Sequence, residues 1–228
     1  MNSNKLIGVL EMGQASTQFY IRLLTELYRN EQQNNLQPFK LVATDFEAIN
    51  NLLPNRSAKL DTIIAGYLEK MLLNDKEIET VLIPNITIHE TVDAVWDKID
   101  SAIPIAHPLL GTIKRMHQKN EHKAVLFGTS YTMTSNYIKT VFANAEIAIE
   151  QPKSKDLQFI DWVRRQVYSE SASAETLEQF NDLVKTYSSK TTVLIACTEL
   201  SLVSKVSNER VLDMAMIQVE DAISIIKK

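Results

Sequence analysis

The sequence predicts an α/β protein with two similar lobes, each a mainly parallel sheet flanked by helices, related by a pseudo-twofold with the site in the cleft between them. Two observations lead there. Short β-rich apolar runs alternate along the whole chain with longer segments of helical period, the pattern of parallel strands linked by crossover helices. There is also an internal echo: "ETVLIPNITIHE" (79–90) and "TTVLIACTEL" (191–200) both read Thr-Val-Leu-Ile and then a polar cluster that opens a helix. Two copies of one βα unit would set Asn85 and Cys197 at equivalent points, facing each other across the cleft. Short Val/Leu/Ile strands also resemble one another by chance, so the echo alone leaves both readings open.

The strand candidates, in order, are "KLIGVL" (5–10), "FKLVATDF" (39–46), "TVLIPN" (80–85), "IPIA" (103–106), "KAVLFGT" (123–129), "AEIAI" (145–149) and "TTVLIAC" (191–197). Helices are expected over 17–30, where Phe19, Ile21, Leu23, Leu24 and Leu27 form an apolar stripe, over 58–73, and over 216–226. Pro108 marks a further helix start. The stretches "NLLPNRS" and "EQPKSKD" read as surface connections. The lobes are expected to comprise residues 1–98 with 209–228, and 99–208. Each strand ends in small or polar residues, and in open α/β sheets ligands bind beyond those carboxyl ends.

Composition excludes several classes. A chain of 228 residues can bury a sizeable core without covalent staples. One cysteine rules out an internal disulfide framework and suits a reducing, cytoplasmic setting. No segment reaches the apolar length of a membrane span, and the first residues do not read as a signal peptide. With 24 Lys and Arg against 28 Asp and Glu, spread along the chain, there is no electrostatic footprint for nucleic acid or an anionic membrane. No glycine loop has phosphate-cradling spacing, no His/Asp/Glu cluster has metal-ligand spacing, and no Gly-x-Ser-x-Gly elbow occurs. Met12, Met71, Met116 and Met133 read as core filling or cleft wall rather than a cofactor box. The expected ligand is small.

Cys197, the lone thiol, stands where an apolar run gives way to Thr198 and Glu199. A lone cysteine can be an inert small hydrophobe. At a helix amino terminus it can instead become a reactive thiolate, because the unpaired N–H groups lower its pKa.

"VLIACTEL" resembles the second catalytic cysteine motif of the aspartate/glutamate racemase family, and "VLIPNITIH" falls where its first cysteine motif belongs. "IGVLEMGQAST" is similar to a reduced form of its Gly-rich first loop, "ATDF" to the close of its second strand, "LFGTSYTM" to its Gly-Thr loop, and "VLDMAMIQVEDA" to its closing strand and helix. The resemblance spans essentially the whole chain. It implies cofactor-independent amino-acid racemisation, in which one thiolate removes the proton α to a carboxylate and a second thiol returns one to the opposite face. It also implies a homodimer and a small carboxylate-bearing substrate.

The departures are chemical. The family reads Cys-Asn-Thr, a residue, then His; this chain reads Asn85, Ile86, Thr87, Ile88, His89. Asn85 cannot act as an acid or base near pH 7, and Ile86 replaces an amide that grips the substrate carboxylate. Two-cysteine racemisation is therefore impossible. His89, which matches the family histidine, and His107 are candidates for the missing proton shuttle; either could equally be an ordinary polar residue at a helix start. Thr17, Gly128, Thr129 and Thr198 lie near strand ends that lead into helices and are the expected carboxylate contacts; Ile86, Thr87 and Glu199 are further expected substrate-binding positions, and the resemblance adds Lys155, which matches a substrate-facing family lysine. Three readings stay open: a one-thiol racemase or epimerase of an acidic amino acid, a single-cysteine decarboxylase or isomerase of a small dicarboxylate, and a non-catalytic binding protein on the same scaffold.

Overall fold

A computed structural model describes residues 5–31, 38–99 and 101–227. It divides into two compact units, Met1–His107 with Gln218–Lys228, and Pro108–Ile217.

In the first unit, three parallel strands order as β2-β1-β3: β1 is Leu6–Leu10, β2 Phe39–Val42 and β3 Ile78–Leu82. Helix α1 (Gln14–Glu31) joins β1 to β2. Helices α2 (Phe46–Asn50) and α3 (Ala58–Asn74) precede β3, and α4 (His89–Trp96) follows it. Strand β2 stops earlier than "FKLVATDF" suggests, because Asp45 leaves the ladder to cap α2, its carboxylate accepting Ala48 N–H at 3.0 Å. Ser57 caps α3 in the same way. Leu10, Ile64, Leu68, Val81, Ile88 and Val92 form the core with Met12 and Met71.

"IPIA" is not a strand. Pro104 has no N–H to donate to a ladder, so the segment makes one parallel bridge, Val81 with Ile105, supported by Val81 N–H to Pro104 O and Ala106 N–H to Val81 O.

In the second unit, four parallel strands order as β5-β4-β6-β7: β4 is Lys123–Phe127, β5 Ala148–Glu150, β6 Thr192–Ile195 and β7 Val211–Asp213. Around them run α5 (Pro108–Gln118), α6 (Ser130–Thr134), α7 (Asn136–Ala143), α8 (Ser154–Tyr168), α9 (Ala174–Ser188) and α10 (Thr198–Val203); α11 (Met214–Ile226) starts in this unit and from Gln218 onward belongs to the first. Pro108 opens α5 as expected, its missing N–H being one no helix start needs. Strand β5 begins later than "AEIAI" suggests because Glu146 lies at positive φ, beyond the end of α7. Val125, Phe127, Ile160, Val163, Phe180, Val193 and Ile195 form the core with Met133, and Met116 is also fully buried.

Residues up to His107 fall in the first unit and residues 209–217 in the second, where β7 pairs with β6 in the register Ile195 with Asp213. Among the described residues, no helix is long and apolar enough to cross a membrane.

Candidate active site

Strand β6 delivers Cys197. The strand ends at Ile195, Ala196 N–H donates to Phe127 O at 2.8 Å, and Cys197 then caps α10 in an extended conformation. The Cys197 carbonyl accepts Leu200 and Ser201 N–H at 3.1 and 3.0 Å, which fixes the turn. Gly128, which directly follows β4, cannot carry a side chain freely. A Cβ there would sit 3.1 Å from the Thr132 methyl and 3.4 Å from Ala196 O.

The thiol does not face an open helix terminus. Its Sγ–H donates to Glu199 Oε2 at 2.8 Å. Burial, reinforced by the Glu199 carboxylate, holds the Cys197 pKa well above the ordinary thiol value; the Arg164 cation opposes this only weakly. The expected lowering is thus corrected. Helix α10 has six residues, and a carboxylate in contact with sulfur outweighs the partial charge of so short a helix. At neutral pH the thiol keeps its proton.

Arg164, on α8, donates through Nη2 to Asp161 Oδ1 at 3.3 Å, while its Nε is buried without a partner among the described residues. Asp161 Oδ1 also accepts Ser130 N–H at 3.2 Å, tying α8 to the start of α6. Asp213, one strand over from Cys197, accepts Ala215 and Met216 N–H at 2.9 and 3.2 Å; burial raises its pKa. Nothing in the spacing of Asp161, Arg164 and Asp213 marks them in the sequence as neighbours of this exit. Thr129 caps α6, its Oγ accepting Thr132 N–H at 3.0 Å. Thr198 and Glu199 are half-buried beside the thiol, whereas Lys155 is exposed in the first turn of α8.

In the first unit the strand β3 exit carries Asn85. Its N–H donates to Ile83 O at 2.8 Å, its Oδ1 accepts Ile88 N–H at 3.3 Å, and its carbonyl accepts His89 Nδ1–H at 2.8 Å. His89 is fully buried. Burial, followed by the charge of His107, pushes its pKa down to about 3. With Nδ1 bound to a carbonyl, the ring is the neutral Nδ1–H tautomer, and its Nε2 is buried without a partner among the described residues. The rings of His89 and His107 meet edge to face with centroids 4.8 Å apart, and His107 Nε2 lies 3.0 Å from Asp93 Oδ1. At neutral pH this imidazole is uncharged, its one ring proton held on Nδ1 by the Asn85 carbonyl.

Ile86 and Thr87 are half-buried in the turn after Asn85, and Ile86 O accepts His89 N–H at 3.2 Å. Thr17 is buried, and its Oγ accepts Met12 N–H at 3.0 Å, bracing the first loop around Gly13 at φ +79°.

The fold and this site define a class: an α/β protein with parallel sheets and a thiol–carboxylate pair at a strand exit. The chain belongs to the Asp/Glu/Hydantoin racemase family, which matches residues 7–222. Its fold is that of an aspartate racemase homologue from Pyrococcus horikoshii (18% identity, TM-score 0.84, 98% of this chain and 100% of that one). A putative Asp/Glu racemase from Yersinia pestis is similar at 18% identity and TM-score 0.80, over 98% of this chain and 100% of that one. The aspartate racemase of Picrophilus torridus is similar at 17% identity and TM-score 0.71, over 98% and 94%. No curated protein sequence matches the chain.

Proposed function

We propose that this protein moves a proton at the carbon α to a carboxylate of an acidic amino acid, without a cofactor, using Cys197 as its single thiol acid/base. The observation that carries this reading is the 2.8 Å hydrogen bond from Cys197 Sγ to Glu199 Oε2. It supplies what a lone protonated thiol lacks, a base within reach of its own proton.

In the removing direction, the Sγ proton passes to the Glu199 carboxylate. The thiolate then takes the α-proton, and the electron pair of the C–H bond moves onto the substrate carboxylate as an enediolate. In the delivering direction, the S–H proton goes to the α-carbon and the enediolate collapses. Glu199 returns its proton to sulfur, so the cycle consumes nothing. Family membership and the folds shared with aspartate racemases support an acidic amino acid as substrate.

A second reading has its own observation. Because burial and Glu199 keep the resting thiol protonated, Cys197 is armed as an acid before any proton is removed. That suits a single-cysteine decarboxylase or isomerase of a small dicarboxylate, in which the enediolate forms by another route and sulfur only protonates it.

Incubation in deuterated water with L- and D-aspartate, L- and D-glutamate, maleate and arylmalonate-type diacids separates the two. Deuterium entering the α-carbon of an amino acid supports the first; deuterium found only in the product of a dicarboxylate supports the second.

A further inference from the structure

The exit of β3 leaves one polar group of Asn85 uncommitted. Its N–H is given to Ile83 O, its carbonyl takes the His89 Nδ1 proton, and its Oδ1 takes Ile88 N–H. The side-chain Nδ2 has no partner among the described residues, although the residue is half-buried. Because Oδ1 accepts a backbone N–H, the orientation of the amide is fixed, and what it presents outward is two N–H donors and no acceptor.

The framework behind it is costly for a surface turn. His89, fully buried, spends its one ring N–H on the Asn85 carbonyl. Gln218, also fully buried, donates to Ile83 O at 3.3 Å and Ala106 O at 2.8 Å, and accepts the Tyr20 hydroxyl at 2.8 Å. Buried polar groups are retained at a cost in desolvation. Here they hold the carbonyl positions on both sides of the strand exit.

From this we infer that Asn85 is a preset carboxylate-binding donor: its Nδ2–H groups take an oxygen of an anionic substrate, while His89 and Gln218 act as positioning residues through the backbone. The place of the family's first cysteine has passed from proton transfer to anion binding. The amide loses no rotamer freedom on binding, and its hydrogen bond to a carboxylate is charge-assisted. An aspartate would cap Ile88 N–H equally well but would repel the ligand, so the nitrogen is the atom that matters. The inference rests on the proposed reading only in its choice of ligand.

The test measures binding of succinate, maleate, L-aspartate and L-glutamate by calorimetry and thermal shift to wild type, Asn85→Ala and Asn85→Asp. Wild type should bind at least one of the four. Asn85→Ala should weaken that ligand about tenfold, the loss of one hydrogen bond to a charged group. Asn85→Asp, which retains the Ile88 contact, should weaken it roughly thirtyfold or more by adding like charge and should melt as wild type does without ligand. Equal affinity across the three proteins, or no binding of any of the four by wild type, overturns the inference. Loss of α-deuterium exchange with the Asn85 dependence intact would instead remove the reaction and leave the binding role standing.

Discussion

The strand exits after β3 and β6 are built alike and equipped differently. Both follow an apolar parallel strand and turn into a helix, and both pin the turn with backbone hydrogen bonds to the exit residue. After β3, every polar atom of Asn85 but one is consumed by that turn, and the adjacent imidazole is held neutral. After β6, the side chain of Cys197 takes no part in capping and is spent wholly on Glu199. One exit offers a donor that no accessible pH alters; the other holds a proton with somewhere to go. The comparison teaches that an exit without a thiol is not an empty one, since a fixed amide there presents a donor where the other exit presents an acid.

The largest effect should come from breaking the β6 exit. Cys197→Ala should lower α-proton exchange by at least roughly 10³-fold, because the only acid/base thiol is gone, with an unchanged circular dichroism spectrum. Cys197→Ser should be nearly as inactive, a hydroxyl being a far weaker base at neutral pH. Exchange at the wild-type rate in either variant would sink both enzymatic readings.

Glu199→Gln sharpens the same exit. Removing the carboxylate removes a cause of the raised thiol pKa, so the thiolate fraction at pH 7 should rise and iodoacetamide should alkylate Cys197 faster. Exchange should nonetheless fall by roughly tenfold to a hundredfold, because the thiol has lost the group that takes its proton. Faster alkylation together with faster exchange would mean that Glu199 only restrains the thiol.

Much of this was legible in the sequence. The runs ending at Leu10, Leu82, Phe127 and Ile195 become strands because each combines β-branched and apolar residues with a polar stop. Cys197 stood out because its context announced a strand exit. What failed to show was tertiary. Pro104 alone decided that "IPIA" would bridge rather than pair. The direction of the Cys197 pKa depended first on burial of the thiol and then on the Glu199 side chain turning back toward sulfur, neither of which spacing can reveal. The surroundings of the buried His89 include His107, 18 positions further on, whose ring meets it edge to face.

That burial makes a prediction about the β3 exit. His89 titrates near 6.5 when unfolded and near 3 when folded. The unfolded chain therefore binds the extra proton first as pH falls. The contribution of His89 is fully present above pH 6.5 and is lost progressively toward pH 3, by up to ~4 kcal/mol. His89→Gln, which does not titrate, should show a shallower loss of stability between pH 6.5 and 4 in urea unfolding, by about one proton in the slope. Identical slopes would show that the imidazole is not held neutral.

The smallest effect, and the most direct test of the difference between the exits, is to make them chemically equal. Asn85→Cys puts a second thiol in the chain, at the β3 exit, yet it removes the donor and gives Ile88 N–H only a weak sulfur acceptor. Two consequences oppose each other. Carboxylate binding should weaken about tenfold for want of the amide, while a second acid/base should raise interconversion of enantiomers relative to solvent exchange. In wild type, with one thiol, exchange should outrun racemisation, since the proton leaves and returns on the same side. In Asn85→Cys the ratio of racemisation to exchange should rise severalfold even as total turnover drops, on the order of what one poorly seated general acid contributes. Adding Ile86→Asn restores an amide one residue along and should recover part of the binding, so the double variant should exceed the single one in both ratio and rate. Chiral chromatography run beside deuterium incorporation reads both quantities from one sample. If wild type already racemises as fast as it exchanges, and Asn85→Cys leaves that ratio unchanged, a second acid acts from a residue other than Asn85, and the division of labour between the two exits fails.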